Sequence, residues 1–274
     1  MDRRDHPMPQ YIFGQSTQET EQLQLQARAL LPATRYCLTQ AGITTGMRVL
    51  DVGSGAGDVA LLAADLVGLM GQVVGIERNA EILETARARA VGVARVSFLQ
   101  EDLTSLRIKD RFDALIGRYI LQHLREPALT LRSLARYVRP GGIITFMEAD
   151  LTHLGTSVPS SPLFEQVGEW VREAFRRGGL DIQAGLRLYH LFLEAGLPVP
   201  QIECVSFVGG GPDWPWYELI AGRVRSLLPV LLHYDIATED EIGIDTLASR
   251  LRDSLISHHA IGMAPDLVAA RVQV

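Results

Sequence analysis

Cysteine is scarce in this chain, which has two among its 274 residues. Cys37 and Cys204 have neither the spacing of a metal site nor the pattern of a disulfide framework, so we expect reduced, buried thiols. An excess of basic residues is also lacking. The net charge of −6 argues against a nucleic-acid partner, which usually requires a basic face.

Long apolar runs are missing too. No run reaches the roughly 18 residues that a membrane-spanning helix needs, and the polar N-terminus has no signal-peptide core. With 47% hydrophobic residues, the chain can instead bury one large core. We therefore expect a cytoplasmic protein with no membrane partner.

Short β-branched runs alternate with helical stretches between Met47 and Met147. This alternation, with nearly continuous apolar strands, predicts a parallel sheet covered on both faces. We expect an α/β fold with a Rossmann-like, doubly wound, seven-stranded, mostly parallel sheet, an N-terminal helical cap and a helical insertion. The predicted strands are 49–52, 72–77, 95–100, 112–120 and 142–148, with helices at 59–67, 79–90 and 127–138; 201–209 and 265–274 are predicted to complete the sheet at one edge.

The chain divides into three predicted segments. Residues 1–44 form a cap or lid, 45–150 a ligand-binding core, and 151–274 substrate-side helices with the last strands. The cap contains one helix over 16–41, with Ser16 and Glu19 as a capping box. Its apolar face predicts a lid over a pocket, and exchange of this helix between subunits would make a homo-oligomer.

Three glycines follow the first predicted strand, in "DVGSGAGD" at 51–58. A dinucleotide fingerprint has a third glycine where this chain has Asp58. Carboxylates at Asp51 and Asp58 would oppose a pyrophosphate at the helix N-terminus. The pattern therefore favours a ligand with a cationic amino-acid portion, and Glu77, ending the second strand, is suited to a ribose diol.

Four motifs occur in order at strand ends: D-x-G-x-G-x-G from Asp51, Glu77, "EDL" at 101–103, and "VRPGG" at 138–142. Together they resemble the class I S-adenosylmethionine-dependent methyltransferases. The segment "YIFGQSTQETEQLQLQA" at 11–27 looks like the cap of a bacterial small-molecule subset near the ubiquinone/menaquinone-methyltransferase-like group.

The resemblance implies S-adenosylmethionine as cofactor and S-adenosylhomocysteine as product. It also implies a role for each matching position. Asp51, Gly53 and Gly55 would surround the methionine portion, and Ser54 between them would also bind the cofactor. Glu77 would hold the ribose, and Arg78, Asp102 and Leu103 would contact the adenine. Arg118 would face the junction of cofactor and substrate, and Tyr11 and Gln26 would lie near the methyl group. As an alternative, Asp51 and Asp102 would only cap turns.

Methyl transfer needs a base only when the acceptor must lose a proton. The candidate catalytic residues are His153, Glu148, Asp150 and His123. His153 is a base, a substrate hydrogen-bond donor or a solvated loop residue, and the carboxylates would orient a substrate or stabilise a carbocation. A metal site of Glu148, Asp150 and His153 lacks further ligands, so we expect no metal.

The predicted function is methyl transfer to oxygen or carbon of a small, fairly apolar metabolite in natural product biosynthesis. An aromatic group would suit such a substrate, although ordinary packing is the alternative for at least half of it: Phe164, Trp170, Phe175, Trp214, Trp216 and Tyr217. A same-fold cyclase or isomerase that binds the cofactor without methyl transfer is a second reading. A nicotinamide-dependent oxidoreductase is a third, disfavoured by Asp58 and by the lack of a Tyr-x-x-x-Lys pair.

Overall fold

The computed structural model describes residues 17–274, and side chains from residue 25 onward. The described residues form two compact units. The sheet unit comprises 31–149, 184–205 and 267–274, and the helix unit comprises the chain up to Leu30, 150–183 and 206–266. Each compact unit combines parts of more than one predicted segment. The division into a cap, a ligand-binding core and a substrate-side segment therefore stays a prediction about the function of each segment.

Ten strands and nine α-helices make up the described part of the chain. The strands are β1 (Arg48–Val52), β2 (Gln72–Glu77), β3 (Val96–Gln100), β4 (Phe112–Arg118), β5 (Val138–Asp150), β6 (Ser157–Val158), β7 (Gln201–Val205), β8 (Val208–Gly209), β9 (Ile261–Met263) and β10 (Asp266–Gln273). The helices are α1 (Thr17–Ala41), α2 (Asp58–Val67), α3 (Ala80–Arg89), α4 (Pro127–Ala135), α5 (Pro162–Arg177), α6 (Ala184–Glu194), α7 (Trp216–His233), α8 (Glu239–Ile242) and α9 (Leu247–Ser257).

The main sheet has the order β3-β2-β1-β4-β5-β10-β7. Strands β1 to β5 pair in parallel, and β7 pairs antiparallel with β10 at one edge. The predicted fold class is thereby confirmed, including the edge pair. Strand order reverses between β1 and β4, and ligands bind outside the carboxyl ends of the strands at such a switch point.

The apolar strands build the core of the sheet unit. Leu50, Leu115 and Phe146 are fully buried in one cluster, which α4 and α6 cover with Leu134 and Phe192. Burial of such side chains contributes about 1.5–3 kcal/mol each. This packing holds the carboxyl ends of β1, β2 and β4 side by side.

The second half of α1 belongs to the sheet unit. Leu38 and Thr34 are fully buried there and Cys37 is 1% exposed. The helix begins at Thr17 in the described part, so the predicted capping residue Ser16 lies outside the described residues.

Two predicted boundaries are wrong. Helix α4 ends at Ala135 and β5 begins at Val138, whereas the sequence predicted a helix to 138 and a strand from 142. The segment 139–141 is exposed and Gly142 accepts a hydrogen bond from Val274 N at 2.9 Å, because proline and glycine are tolerated in a strand where pairing is irregular.

The predicted strand 201–209 is also divided. Its first part is β7 at the edge of the main sheet, and its second part, β8, pairs with β9 in a small sheet. Cys204 is exposed on β7, which corrects the prediction of two buried thiols, since alternate residues of an edge strand face solvent.

The helix unit packs α5, α7 and α9 together beside the small sheet β6-β9-β8. Gly209 and Gly262 are opposite each other in this sheet. A Cβ on Gly209 would lie 2.4 Å from Trp214, and one on Gly262 would lie 2.6 Å from Phe164. The two glycines therefore make room for aromatic rings. Among the described residues, no helix is long and apolar enough to cross a membrane.

Candidate active site

The loop between β1 and α2 contains three glycines with positive φ: 67° at Gly53, 52° at Gly55 and 84° at Gly57. Residues with a Cβ rarely adopt this region. Ser54 N donates to the Ile76 carbonyl at 2.9 Å, which ties the loop to β2. The Ser54 hydroxyl is buried and has no hydrogen-bond partner among the described residues.

Glu77 connects the end of β2 to this loop. Its Oε2 accepts from Gly55 N at 3.1 Å, and its Oε1 accepts from Asn79 N at 2.8 Å. Each carboxylate oxygen can accept a further hydrogen bond. Glu77 is partly exposed, and its role in holding a ribose diol stays a prediction.

Asp51 is 1% exposed, and its Oδ2 is buried with no hydrogen-bond partner among the described residues. Burial raises the pKa of Asp51 to about 8, although the Arg118 guanidinium opposes this shift. A buried, unpaired carboxyl oxygen is costly unless a donor reaches it. An ammonium group of a ligand is a donor of the right charge.

Asp58 begins α2 next to the glycine loop. Its Oδ1 accepts from Arg89 Nη2 at 2.6 Å, and Arg89 Nη1 donates to the Ala56 carbonyl at 2.7 Å. The Asp58 charge is therefore paired, while it still helps to raise the pKa of Asp51.

Asp102 follows β3 and caps a turn. Its Oδ1 accepts from Thr104 N at 2.8 Å and from Thr104 Oγ1 at 2.6 Å. These bonds lower the pKa of Asp102, and the nearby Arg78 charge adds to the effect. The turn-capping alternative therefore has direct support, and the carboxylate keeps acceptor capacity for an adenine amino group. Leu103 packs against the core of the sheet unit.

Arg118 ends β4 and is held by two contacts. Its Nη1 donates to Thr34 Oγ1 of α1 at 2.8 Å, and its guanidinium carbon lies 5.8 Å from the Tyr119 ring centre. The Arg118 charge also opposes the burial that raises the pKa of Asp51. Sequence reasoning missed the Thr34 contact, because the residues are 84 positions apart.

The four predicted catalytic residues have different surroundings. Glu148 is 1% exposed and accepts from Ile120 N and Leu121 N at 2.9 and 2.7 Å. Burial raises its pKa to about 8, and these backbone bonds oppose the shift. His123 is exposed in a single 3-10 turn, Leu121–His123.

His153 follows β5 in the helix unit and has a carboxylate partner. Its Nδ1 lies 3.1 Å from Asp266 Oδ2, with His153 55% and Asp266 5% exposed. Asp150, which is 2% exposed, accepts from Thr152 N at 3.1 Å and so holds the turn that carries His153. Sequence reasoning missed Asp266, which is 113 positions from His153.

Two predicted contacts near the methyl group lie in the cap. Tyr11 is outside the described residues. Gln26 is partly buried in α1, and its role stays a prediction.

The aromatic group lies in the helix unit, and most of its rings are buried: Phe164, Trp170, Phe175, Trp216 and Tyr217. Trp214 and Tyr217 have ring centres 5.2 Å apart in an edge-to-face arrangement. Packing therefore accounts for most of these rings. In residues 17–274, no cluster of three or more histidine, cysteine or acidic side chains could hold a metal ion.

The chain is similar to known proteins in both sequence and structure. Residues 43–184 match the model of a methyltransferase domain family. The chain is 33% identical over 123 residues to the ubiquinone/menaquinone biosynthesis C-methyltransferase UbiE of Cellvibrio japonicus, which covers 43% of this chain and 49% of that protein. The chain spans about half the length of the curated relatives it matches.

Solved structures share the architecture at low identity. Phosphoethanolamine N-methyltransferase 2 of Haemonchus contortus has a TM-score of 0.55 at 19% identity, covering 93% of this chain and 58% of that one. The cyclase SpnF has a TM-score of 0.52 at 22% identity, covering 90% and 82%. These likenesses concern the fold, which therefore occurs both in a methyltransferase and in a cyclase.

Proposed function

The chain belongs to the class I S-adenosylmethionine-dependent methyltransferase family, and on this premise we propose that it transfers a methyl group to an oxygen or carbon of a small, fairly apolar metabolite. The observation that carries the proposal is the buried Asp51 carboxyl with an unpaired oxygen beside the glycine loop.

The residues of the sheet unit fit the cofactor. Asp51 would accept from its ammonium group, Glu77 from its ribose hydroxyls, and Asp102 from its adenine amino group. When bound, S-adenosylmethionine supplies a methyl group activated by a sulfonium. Gly55 offers space on its open side, since nothing lies within 4 Å of where its Cβ would be.

His153 is the proposed base for an acceptor that must lose a proton. Asp266 holds Nδ1, so a proton on Nδ1 leaves the Nε2 lone pair available to take the acceptor's proton. Asp150 supports this by fixing the turn. Tyr11, Gln26 and Arg118 complete the proposed surroundings of the methyl group.

The metabolic setting and the cellular location are the most specific parts of the proposal. A small apolar acceptor suits natural product biosynthesis. A cytoplasmic location fits the two free cysteines, Cys37 and Cys204, because unpaired thiols are usual in reducing compartments. A homo-oligomer formed through α1 also belongs to the proposal, and light scattering would test it.

Isotope transfer tests the function. The protein is incubated with S-adenosylmethionine carrying a deuterated methyl group and an extract of small metabolites, and products are analysed by mass spectrometry. We expect the label in a small organic product together with S-adenosylhomocysteine. Cofactor binding with no transferred label would favour the cyclase reading instead.

A further inference from the structure

The backbone turns sharply where β4 ends. Tyr119 has a φ of 57°, which lies in the left-handed region that residues other than glycine rarely adopt. Its N–H still donates to the Met147 carbonyl at 2.9 Å, so pairing with β5 continues into the turn. The next two N–H groups leave this pairing, and buried donors need another acceptor.

The Glu148 side chain is that acceptor. A single oxygen, Oε1, accepts from the N–H groups of both Ile120 and Leu121. The other oxygen, Oε2, is buried without a hydrogen-bond partner among the described residues. Because Oε1 can accept whether or not Oε2 carries a proton, the turn is held in both protonation states.

The turn after β4 also places the side chain of Ile120 on the glycine loop. A Cβ built on Gly53 would lie 2.5 Å from Ile120 Cδ1, and one on Gly117 would lie 3.0 Å from Ile120 Cγ2. Ile120 therefore fills the space above Gly53, while Phe146 lies nearer than Ile120 to Gly117. Its position is set by its own N–H, which Glu148 binds.

We infer that Glu148 is a positioning residue for the cofactor loop: it fixes the turn after β4, so that Ile120 packs on Gly53 and keeps the loop in its binding shape. The inference rests on the proposed function for the identity of the ligand. It gives Glu148 a task other than the catalytic one predicted from the sequence, since its carboxyl is directed to backbone amides.

Hydrogen exchange and calorimetry with S-adenosylhomocysteine test the inference. In Glu148→Leu, which has similar size and no acceptor, we expect faster exchange at Ile120 and Leu121 and about 10- to 100-fold weaker binding. Glu148→Gln keeps an acceptor oxygen and should restore most of the protection and affinity. Thr145→Val is the matched control, because it removes a buried hydroxyl of the same strand that has no hydrogen-bond partner among the described residues.

A second variant covers the case in which Glu148→Leu does not fold. Ile120→Ala keeps the Glu148 bonds, so we expect normal exchange at Leu121 with weaker binding. Unchanged affinity in Ile120→Ala, or in a folded Glu148→Leu protein, would overturn the inference. Failure of the proposed function would look different: the wild-type protein would not bind S-adenosylhomocysteine, while exchange would still report whether Glu148 holds the turn.

Discussion

Gly53 and Gly55 differ in what surrounds the place of a missing side chain. Both have positive φ, so alanine at either position costs about 1–2 kcal/mol of backbone strain. A Cβ on Gly53 would also meet Ile120 at 2.5 Å, whereas nothing lies within 4 Å of one on Gly55. The missing side chain therefore serves packing at Gly53 and leaves open space at Gly55.

We predict that Gly53→Ala destabilises the protein by about 1–3 kcal/mol more than Gly55→Ala, because overpacking adds to strain. Urea unfolding measures the difference. Gly55→Ala should instead mainly weaken S-adenosylhomocysteine binding. Adding Ile120→Ala to Gly53→Ala should recover stability, and equal stabilities for the two single variants would contradict the packing account.

The proposed base gives a second prediction. His153→Ala should lower kcat by about 10²–10⁴ with little change in cofactor affinity, and Asp266→Asn should cause a smaller loss because the ring is then less well held. The exposed histidine that follows α9 supplies the control variant, His258→Ala, and an unchanged kcat in His153→Ala would exclude the histidine base.

If the acceptor is an alkene, positive charge develops on the substrate and the carboxylates matter more. In that case Asp150→Asn should cost more activity than His153→Ala. Comparing the two variants on the identified substrate separates base catalysis from charge stabilisation.

Among the elements, α1 is divided between the two units. Its part from Leu31 onward belongs to the sheet unit, where Thr34 accepts from Arg118. Deleting residues 1–26 should therefore leave a folded protein that binds S-adenosylhomocysteine about tenfold more weakly, if the cap is a lid. Circular dichroism and calorimetry check this.

A longer deletion is the control. Removing residues 1–38 takes away buried Leu30, Thr34 and Leu38 and should prevent folding. Full activity without residues 1–26 would show that the cap serves packing or assembly only.

Local pattern was sufficient for most elements, because each strand and helix carries its own periodicity. It failed at Pro140-Gly141-Gly142, where the pattern predicted the end of a helix and the start of a strand only at Gly142. A hydrogen bond with Val274, the residue after β10, extends the strand there, since Val274 N donates to the Gly142 carbonyl at 2.9 Å. Such pairing depends on residues far away in the chain.

The candidate site shows the same limit. Asp51, Gly53 and Glu77 were predicted because motif and strand end coincide in sequence. The contacts of Glu148 with Ile120 and of His153 with Asp266 join residues 28 and 113 positions apart. No local spacing in the sequence indicates these two contacts, so the sequence did not predict that Glu148 and Asp266 position other groups.

At the scale of the whole molecule, two buried carboxyls link stability to pH. Burial raises the pKa values of Asp51 and Glu148 from 3.8 and 4.5 to about 8. Between about pH 4 and pH 8, the folded chain keeps the two carboxyl protons that the unfolded chain releases. The stability that these two retained protons contribute is therefore complete below about pH 4 and is lost as the pH rises through about 8.

We predict that each group lowers the free energy of unfolding by up to about 1.4 kcal/mol per pH unit within this window. Chemical unfolding of the ligand-free protein from about pH 5 to pH 8 measures the slope. Asp51→Asn and Glu148→Gln should each make it shallower. A wild-type stability that rises over this range and is unaffected by both variants would refute the assignment.

We propose that the carboxyl ends of β1 and β2 bind a nucleoside ligand with a cationic amino-acid portion. Calorimetric titration with S-adenosylmethionine and, separately, NADH tests it most directly. We expect one S-adenosylmethionine per chain, binding weakened by about 1–3 kcal/mol in Glu77→Ala and in Asp51→Asn, and weaker binding of NADH. Tighter binding of NADH, or S-adenosylmethionine affinity unchanged in both variants, would contradict the account.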